Sequence, residues 1–159
     1  MTSIEILKQV ILDNQRDVER QVVIPRSIPL DDDMNYVLVG VRRAGKSFML
    51  YQRIQQNLQQ GIGWDKMLYI NFEDERLINM DASDLNLLLE TFARIYGTAR
   101  PILFLDEIQN IIGWEKFARR LADSKYRVYI TGSNAHMLSA EIATTLGGRY
   151  IMKEIYPYS

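Results

Sequence analysis

Short runs of apolar residues alternate along the chain with longer stretches in which apolar residues recur every three or four positions. The runs predict strands at 36–39, 67–72, 102–105, 127–131 and 149–155. The helical spacing predicts helices at 3–20, 45–60, 85–96, 114–123 and 136–146. Because the strands are continuously apolar, we expect a parallel sheet that is covered by helices on both faces. The pattern therefore predicts a three-layer α/β fold.

Capping residues and prolines indicate where these elements begin and end. Thr2 and Glu5 have the spacing of a capping box for the first helix, and Asp84 is placed to cap the third. Pro25 and Pro29 interrupt the segment before the first strand, so we divide the chain into a lead-in at 1–24 and a core at 25–159. The chain stops directly after the last predicted strand without a closing helix, and we expect it to be part of a longer protein.

The composition is that of a soluble globular protein. Hydrophobic residues make up 47% of the 159 positions and charged residues 25%, which argues against disorder. A net charge of −1 does not indicate a basic surface for binding nucleic acid. The absence of cysteine excludes disulfides, thiolate metal sites and thiol catalysis. No apolar run is long enough to span a bilayer and no signal peptide is visible, so we expect a cytoplasmic protein.

Residues 40–47 read Gly-Val-Arg-Arg-Ala-Gly-Lys-Ser, which is the G-x-x-x-x-G-K-[ST] pattern of a phosphate-binding loop. The motif follows a predicted strand and opens a predicted helix, whose free N–H groups attract phosphate. We therefore predict that the loop binds a nucleoside triphosphate, with Lys46 between the outer phosphates and Ser47 as a Mg²⁺ ligand. The predicted binding residues are Gly40, Val41, Arg42, Arg43, Ala44, Gly45, Lys46 and Ser47. Arg42 and Arg43 are either both solvated, or one of them touches a phosphate.

The strand at 102–105 runs into two carboxylates, Asp106 and Glu107, 60 residues downstream of Lys46. An apolar strand that ends in two acidic residues is the Walker B pattern. We predict that Asp106 reaches Mg²⁺ through water and that Glu107 orients the attacking water or accepts its proton. A strand that ends in a solvated acidic loop is the alternative, but the phosphate loop upstream favours the functional interpretation.

Two further sites are candidates for contact with the γ-phosphate. Ser133 and Asn134 follow the strand at 127–131, at the sheet edge where ligands of parallel sheets bind, and either is placed to contact the phosphate or the water. A plain turn is the alternative. Arg149, at the entry to the last strand, has the chemistry to contact a γ-phosphate in its own subunit or in a neighbour's. A surface arginine is the alternative there.

Together these motifs resemble the AAA-type ATP-binding proteins of the archaeal-ATPase-like group, and most closely the AAA-14 family of bacteria and archaea. The resemblance runs from about residue 20 to the end of the chain. It is carried by residues 39–47, 69–74, 104–110, 114–115, 130–134 and 146–150. The run from Asp106 to Gln109 with the nearby Trp114 is more specific than the phosphate loop, which many families share.

The resemblance implies a five-stranded parallel core with strand order 5-1-4-3-2, in which the strand ending at Thr131 separates the phosphate-loop strand from the Walker B strand. It implies ATP and Mg²⁺ as ligands, and Ser133 or Asn134 as the sensor of the γ-phosphate. Arg149 matches the position of the arginine finger in related ATPases. Family members usually carry a second, C-terminal domain of unknown function (the DUF4143 domain), through which an unknown protein partner would bind.

We therefore predict a Mg²⁺-dependent ATPase domain in which Lys46, Glu107, Ser133, Asn134 and Arg149 are the catalytic candidates. The main alternative is a nucleotide-dependent switch with little hydrolysis. A small-molecule kinase and a DNA-handling ATPase are less favoured, because the carboxylate after Asp106 suits water activation and no run of Lys or Arg exceeds two residues. The choice between ATP and GTP, the oligomeric state and the coupled work stay open.

Overall fold

The computed structural model describes residues 3–25, 30–42, 44–97 and 100–157. The strands are β1 (Tyr36–Val39), β2 (Met67–Asn71), β3 (Ile102–Asp106), β4 (Val128–Gly132) and β5 (Ile151–Glu154). The helices are α1 (Ile4–Arg20), α2 (Lys46–Gln59), α3 (Leu85–Tyr96), α4 (Trp114–Asp123) and α5 (Ala140–Leu146). The apolar runs therefore predicted the strands to within two residues at either end.

All strand pairings in the described residues are parallel, and the order across the sheet is β2-β3-β4-β1-β5. This is the order implied by the family resemblance, and β4 indeed lies between β1 and β3. Because parallel strands all end at the same edge, the residues that follow β1, β3 and β4 lie side by side. The topology thus brings the phosphate loop, the acidic pair and the segment after β4 to one edge of the sheet.

Strands β1 to β4 are buried on both faces, with successive side chains entering two different cores, whereas the edge strand β5 is only partly buried. Val37 and Val39 pack with residues of α1, α3, α4 and α5 on one face. Tyr36 and Leu38 pack on the other face, chiefly with residues of α2. Continuously apolar strands are what this double burial requires. The packing of α2 on its face fixes the direction in which the first turn of that helix, with Lys46, meets the end of β1.

Two helix beginnings differ from the prediction. Ser3 caps α1, because its Oγ accepts a hydrogen bond from the N–H of Ile6 at 3.2 Å; Thr2, the predicted cap, lies outside the described residues. The last helix was predicted at 136–146, but α5 begins only at Ala140 behind the cap residue Ser139. A separate 3-10 turn, Ala135–Leu138, occupies the start of the predicted range.

The prediction that Asp84 caps α3 is wrong. Asp84 has helical backbone angles, and its side chain makes no cap bond to the N–H groups of α3. It instead accepts a hydrogen bond from the N–H of Asp81 at 3.1 Å and closes a capping box around the 3-10 turn Ala82–Asp84. Because α3 continues directly out of that turn, the cap belongs one turn earlier, at Asp81.

Candidate active site

The phosphate loop connects β1 to α2 through a backbone path that depends on two glycines. A Cβ atom at Gly40 would lie 2.3 Å from the carbonyl oxygen of Ile155, so only glycine fits beside the end of β5. Gly45 has a φ of +98° and stands at the N-cap of α2. It has no side chain to cap the helix, so the first N–H groups of α2 stay free for a ligand. Arg43 lies outside the described residues.

Lys46 is the first residue of α2, and its ammonium group is buried at the centre of the site. The residue is 3% exposed. Its Nζ donates to the carbonyl oxygen of Val41 at 3.2 Å and to Ser133 Oγ at 2.9 Å. It also forms an ion pair with Glu107, at 3.2 Å from Oε1. The lysine therefore links the phosphate loop to the ends of β3 and β4.

Asp106, the last residue of β3, accepts hydrogen bonds from three hydroxyl groups. Ser47 Oγ and Thr131 Oγ1 donate to its Oδ1 at 3.0 and 2.5 Å, and Tyr69 Oη donates to its Oδ2 at 2.6 Å. The residue is 1% exposed, and burial raises the pKa of the carboxyl group while the three hydrogen bonds oppose that rise. The side chains of Ser47 and Asp106, the two residues predicted to hold Mg²⁺, are therefore in direct contact.

Glu107 follows Asp106 in a left-handed backbone conformation, with a φ of +57°. Its N–H donates to Thr131 Oγ1 at 2.8 Å, which ties the turn to β4. Both carboxylate oxygens accept from Ser133 Oγ at 2.7 Å, and Oε2 also accepts from Gln109 Nε2 at 2.7 Å. Burial raises the pKa of Glu107, but the hydrogen bonds from Gln109 and Ser133 and the charge of Lys46 outweigh burial and hold the pKa below its ordinary value.

A cavity of about 420 Å³ opens beside this cluster, within the range of roughly 300–1,000 Å³ that small-molecule sites occupy. The loop and the first turn of α2 line it, together with Gln21, Tyr51, Glu73 and Glu107. Arg42 pairs with Glu73 across the cavity, and its side chain is 66% exposed. The predicted phosphate loop therefore borders a space of suitable size and polarity for a nucleotide.

The structure brings Lys46, Ser47, Asp106, Glu107 and Ser133 together, whereas two other candidates lie elsewhere. Asn134 is exposed, and its Oδ1 accepts from the N–H of His136 at 2.8 Å, so its side chain caps the turn that follows β4.

Arg149 precedes β5, at the end of the sheet where the strands begin, whereas the phosphate loop lies where they finish. Ile151 pairs with Tyr36, the first residue of β1, and the four residues of β1 span roughly 13 Å before the phosphate loop begins. The guanidinium Nε donates to Asp123 at 2.5 Å. Arg149 therefore does not reach the phosphate loop of its own chain.

Thr131 and Tyr69 belong to the site but were not among the predicted site residues. Thr131 bridges Asp106 to the N–H of Glu107, and Tyr69 holds the second oxygen of Asp106. Thr131 carried a signal, because it is a hydroxyl residue in an otherwise apolar strand beside the Walker B strand. Tyr69 carried none, because an aromatic residue is ordinary in a buried strand.

The part of the chain that the structure describes contains neither a cluster of metal-ligating side chains nor a membrane-spanning helix. No group of three or more His, Cys, Asp or Glu gathers in residues 3–25, 30–42, 44–97 and 100–157. Within the same ranges, no helix is both long enough and apolar enough to cross a bilayer.

Comparison with known proteins places this site in a family context. Residues 32–159 match the AAA-14 family model, which describes an AAA domain. An uncharacterised protein of Methanocaldococcus jannaschii is 44% identical over 154 residues, which are 96% of this chain and 33% of that protein. An uncharacterised protein of Haemophilus influenzae is 43% identical over 132 residues, 81% of this chain and 32% of that protein. The chain thus spans about a third of the length of these relatives.

A solved structure shares the fold. The ORC1 protein of Aeropyrum pernix, determined in complex with DNA, aligns with a TM-score of 0.51 at 14% identity, over 98% of this chain and 44% of that one. At this level of identity the likeness concerns the fold alone. The family match covers most of the chain and includes the loop, the acidic pair and the segment after β4. The chain therefore belongs to the AAA-14 family of AAA domains and is a nucleotide-binding domain of the ATPase type.

Proposed function

We propose that this domain binds ATP together with Mg²⁺ and hydrolyses it to ADP and phosphate. The observation that carries the proposal is that two motifs from distant parts of the chain converge. Lys46 contacts Glu107 and Ser47 contacts Asp106, and Lys46, Ser47 and Glu107 line one cavity. A buried cation, a hydroxyl, a metal-binding carboxylate and a second carboxylate are the set of groups that phosphoryl transfer needs.

ATP binding is supported by the loop and by the first turn of α2. The free N–H groups at the start of α2 and the ammonium of Lys46 offer positive charge to the phosphates. Lys46 Nζ has its three contacts within the site, and phosphate oxygens would replace Glu107 as its anionic partner. We therefore expect the ion pair between Lys46 and Glu107 to open when nucleotide binds.

The residues present fit Mg²⁺. Ser47 Oγ lies 3.0 Å from Asp106 Oδ1, and Mg²⁺ prefers hard oxygen ligands and needs only one or two from the protein when phosphates supply others. Ser47 would hold the metal directly and Asp106 through water. When bound, the metal supplies charge neutralisation at the outer phosphates.

Glu107 is the candidate that orients the attacking water and accepts its proton. In the reaction the water oxygen bonds to the γ-phosphorus, the bond from that phosphorus to the β–γ bridging oxygen breaks, and ADP and phosphate leave. The Glu107 carboxylate, whose pKa lies below its ordinary value, is ionised at neutral pH and offers an acceptor to the water. Ser133 shares hydrogen bonds with both Lys46 and Glu107, so it is better placed than Asn134 to sense the γ-phosphate.

We propose that Arg149 contacts the nucleotide of a neighbouring copy. It lies at the end of the sheet opposite its own phosphate loop, so only a partner subunit brings a phosphate within its reach. We propose that assembly, partner recognition and the work coupled to hydrolysis depend on parts of the full-length protein beyond this domain, since the relatives are about three times as long.

A nucleotide-dependent switch is the second candidate, and one observation favours it. Both carboxylate oxygens of Glu107 are engaged by Ser133, and Gln109 and Lys46 add further contacts. In this arrangement each carboxylate oxygen already has two partners, so an attacking water has to displace one of them. If none is displaced, the domain would retain ATP or ADP and change partners without appreciable turnover.

Phosphate release by the unaltered protein and by Glu107→Gln tests the proposal. We expect the variant to bind ATP at least as tightly as the unaltered protein, since no ion pair with Lys46 then has to open. We expect it to turn over about 10²- to 10⁴-fold more slowly, because loss of a general base has that effect. Glu90→Gln, on the exposed part of α3, is the matched control and keeps full turnover. Equal rates for Glu107→Gln and the unaltered protein would contradict the assignment. Tight nucleotide retention with negligible turnover in both would favour the switch.

A further inference from the structure

The carboxylate of Asp106 is held from two sides. Ser47 and Thr131, which come from α2 and β4, donate to Oδ1. Tyr69, in β2, donates to Oδ2. Among the described residues, Tyr69 is the one donor at hydrogen-bonding distance from that second oxygen. The orientation of the carboxylate about its terminal torsion therefore depends on a hydroxyl from the edge strand of the sheet.

We propose that Tyr69 is a positioning residue for the metal site: its hydroxyl group fixes the rotation of the Asp106 carboxylate so that Oδ1 stays directed toward Ser47. The inference rests on the proposed function, since it assigns a role toward the metal that Ser47 and Asp106 would hold. Tyr69 itself does not contact the metal. It acts through Asp106, as outer hydrogen-bond partners of metal ligands commonly do.

The surroundings of Tyr69 suit a fixed donor. The residue is 2% exposed, and its backbone lies in β2, which pairs with β3 through Tyr69 opposite Phe104 and Asn71 opposite Asp106. Its ring packs edge-on against Tyr51, with the ring centroids 5.8 Å apart. A ring held by a strand on one side and an aromatic neighbour on the other has little freedom to move its hydroxyl group.

Within the described part of the chain, the hydroxyl group of Tyr69 has one close acceptor, because Asp106 Oδ2 lies at 2.6 Å. Tyr51 Oη lies 3.4 Å from Tyr69 Oη, which is too long to replace the 2.6 Å bond to Asp106.

If Tyr69 positions Asp106, removing its hydroxyl group should affect metal binding and not nucleotide binding. The groups proposed to contact phosphate, Lys46 and the first turn of α2, make no hydrogen bond to Tyr69 in the described residues. Removing the hydroxyl should weaken the metal site and leave metal-free nucleotide affinity as it was. A merely structural role would weaken both together.

The test compares Tyr69→Phe with Tyr150→Phe as a matched control. Tyr150 is also buried, at 6% exposure, and its hydroxyl group donates to the carbonyl oxygen of Ala118 at 2.7 Å, far from the loop. Thermal unfolding of each variant is recorded first. The affinity for Mn²⁺, in the presence of a saturating non-hydrolysable ATP analogue, is then measured by electron paramagnetic resonance. Affinity for a fluorescent ATP derivative is measured separately in EDTA.

We expect Tyr69→Phe to bind Mn²⁺ about 10- to 100-fold more weakly, with nucleotide affinity in EDTA unchanged. Tyr150→Phe should match the unaltered protein in both measurements. Equal Mn²⁺ affinity for Tyr69→Phe and the unaltered protein, while both bind nucleotide, would overturn this inference and leave the proposed function standing. Loss of cooperative unfolding in Tyr69→Phe would also overturn it, since the hydroxyl would then serve the core. If the unaltered protein binds no nucleotide, the proposed function itself fails.

Discussion

Replacing Thr131 with valine removes the hydroxyl bridge that joins the acidic turn to β4. Thr131 is fully buried, and its Oγ1 accepts from the Glu107 N–H at 2.8 Å while donating to Asp106 Oδ1 at 2.5 Å. Valine has nearly the same shape, so the change removes both hydrogen bonds without leaving a cavity. The loss therefore reports on the polar contacts alone.

The magnitude follows from the two groups that lose a partner. A buried N–H left unpaired costs roughly 1–3 kcal/mol, and a hydrogen bond to a charged group contributes about 1.5–3 kcal/mol. Ser47 and Tyr69 still donate to Asp106, so we expect the lower part of the combined range, about 2.5–4 kcal/mol. For a domain of this size, such a loss lowers the Tm by roughly 5–16 °C.

Urea unfolding at neutral pH measures this difference, and Thr91→Val is the matched control. Thr91 is also fully buried, but its Oγ1 donates to the Leu87 carbonyl oxygen at 2.6 Å within α3, and that carbonyl also belongs to the helix ladder. We expect the control to lose less than about 1 kcal/mol. If Thr131→Val loses no more than Thr91→Val, the hydroxyl bridge does not hold the turn.

Three further predictions address the loop and the surface. Lys46→Ala should weaken ATP affinity at least about tenfold, because one charge-assisted contact with phosphate contributes roughly 1.5–3 kcal/mol. Calorimetric titration with ATP measures this affinity, and an unchanged value would show that Lys46 does not contact the phosphates. Gly40→Ala should lower the free energy of unfolding by about 1–3 kcal/mol, since the alanine Cβ would lie 2.3 Å from the Ile155 carbonyl oxygen. Urea unfolding measures the difference, and a variant as stable as the parent would contradict the prediction. Hydrogen bonds from Arg76 hold the pKa of Asp74 below its ordinary value, so this pair stabilises the fold at neutral pH and the stabilisation is lost as the pH falls through the folded pKa. In urea unfolding, Arg76→Met should be less stable than the parent at pH 7, and the difference in free energy of unfolding should close in acid. A difference that does not depend on pH would refute the ion pair.

The fold was predictable because its signals are local and redundant. Strands β1 to β4 are apolar over most of their length and each helix carries an apolar stripe, and both signals reflect burial in the final fold. The order of the strands could not be predicted from the apolar runs, because the runs do not indicate which strands are neighbours in the sheet. The order came from the family resemblance, and the pairing of β4 with β1 and β3 confirmed it.

The cap of α3 and the start of α5 were predicted less well, since a 3-10 turn precedes each helix. Asp84 and Ser139 both precede apolar helical patterns, yet only Ser139 caps its helix. The backbone angles decide this: Ser139 is extended and directs its side chain over the first turn, whereas Asp84 is already helical. Sequence patterns do not resolve that difference.

Within the site, predictability followed motif spacing. Lys46, Ser47, Asp106 and Glu107 belong to two motifs whose spacing relative to strands fixes their positions. Ser133 and Asn134 were not separable, because the backbone after β4 determines which of two adjacent polar side chains enters the site. The hydroxyl donors to Asp106 that come from β2 and β4 depend on strand order.

A crystal structure of the protein with a non-hydrolysable ATP analogue and Mg²⁺ tests the central claim most directly. The account predicts that the β- and γ-phosphates contact Lys46 Nζ and the N–H groups at the start of α2, and that the metal lies between Ser47 and Asp106. Nucleotide bound elsewhere, with the ion pair between Lys46 and Glu107 intact, would contradict it.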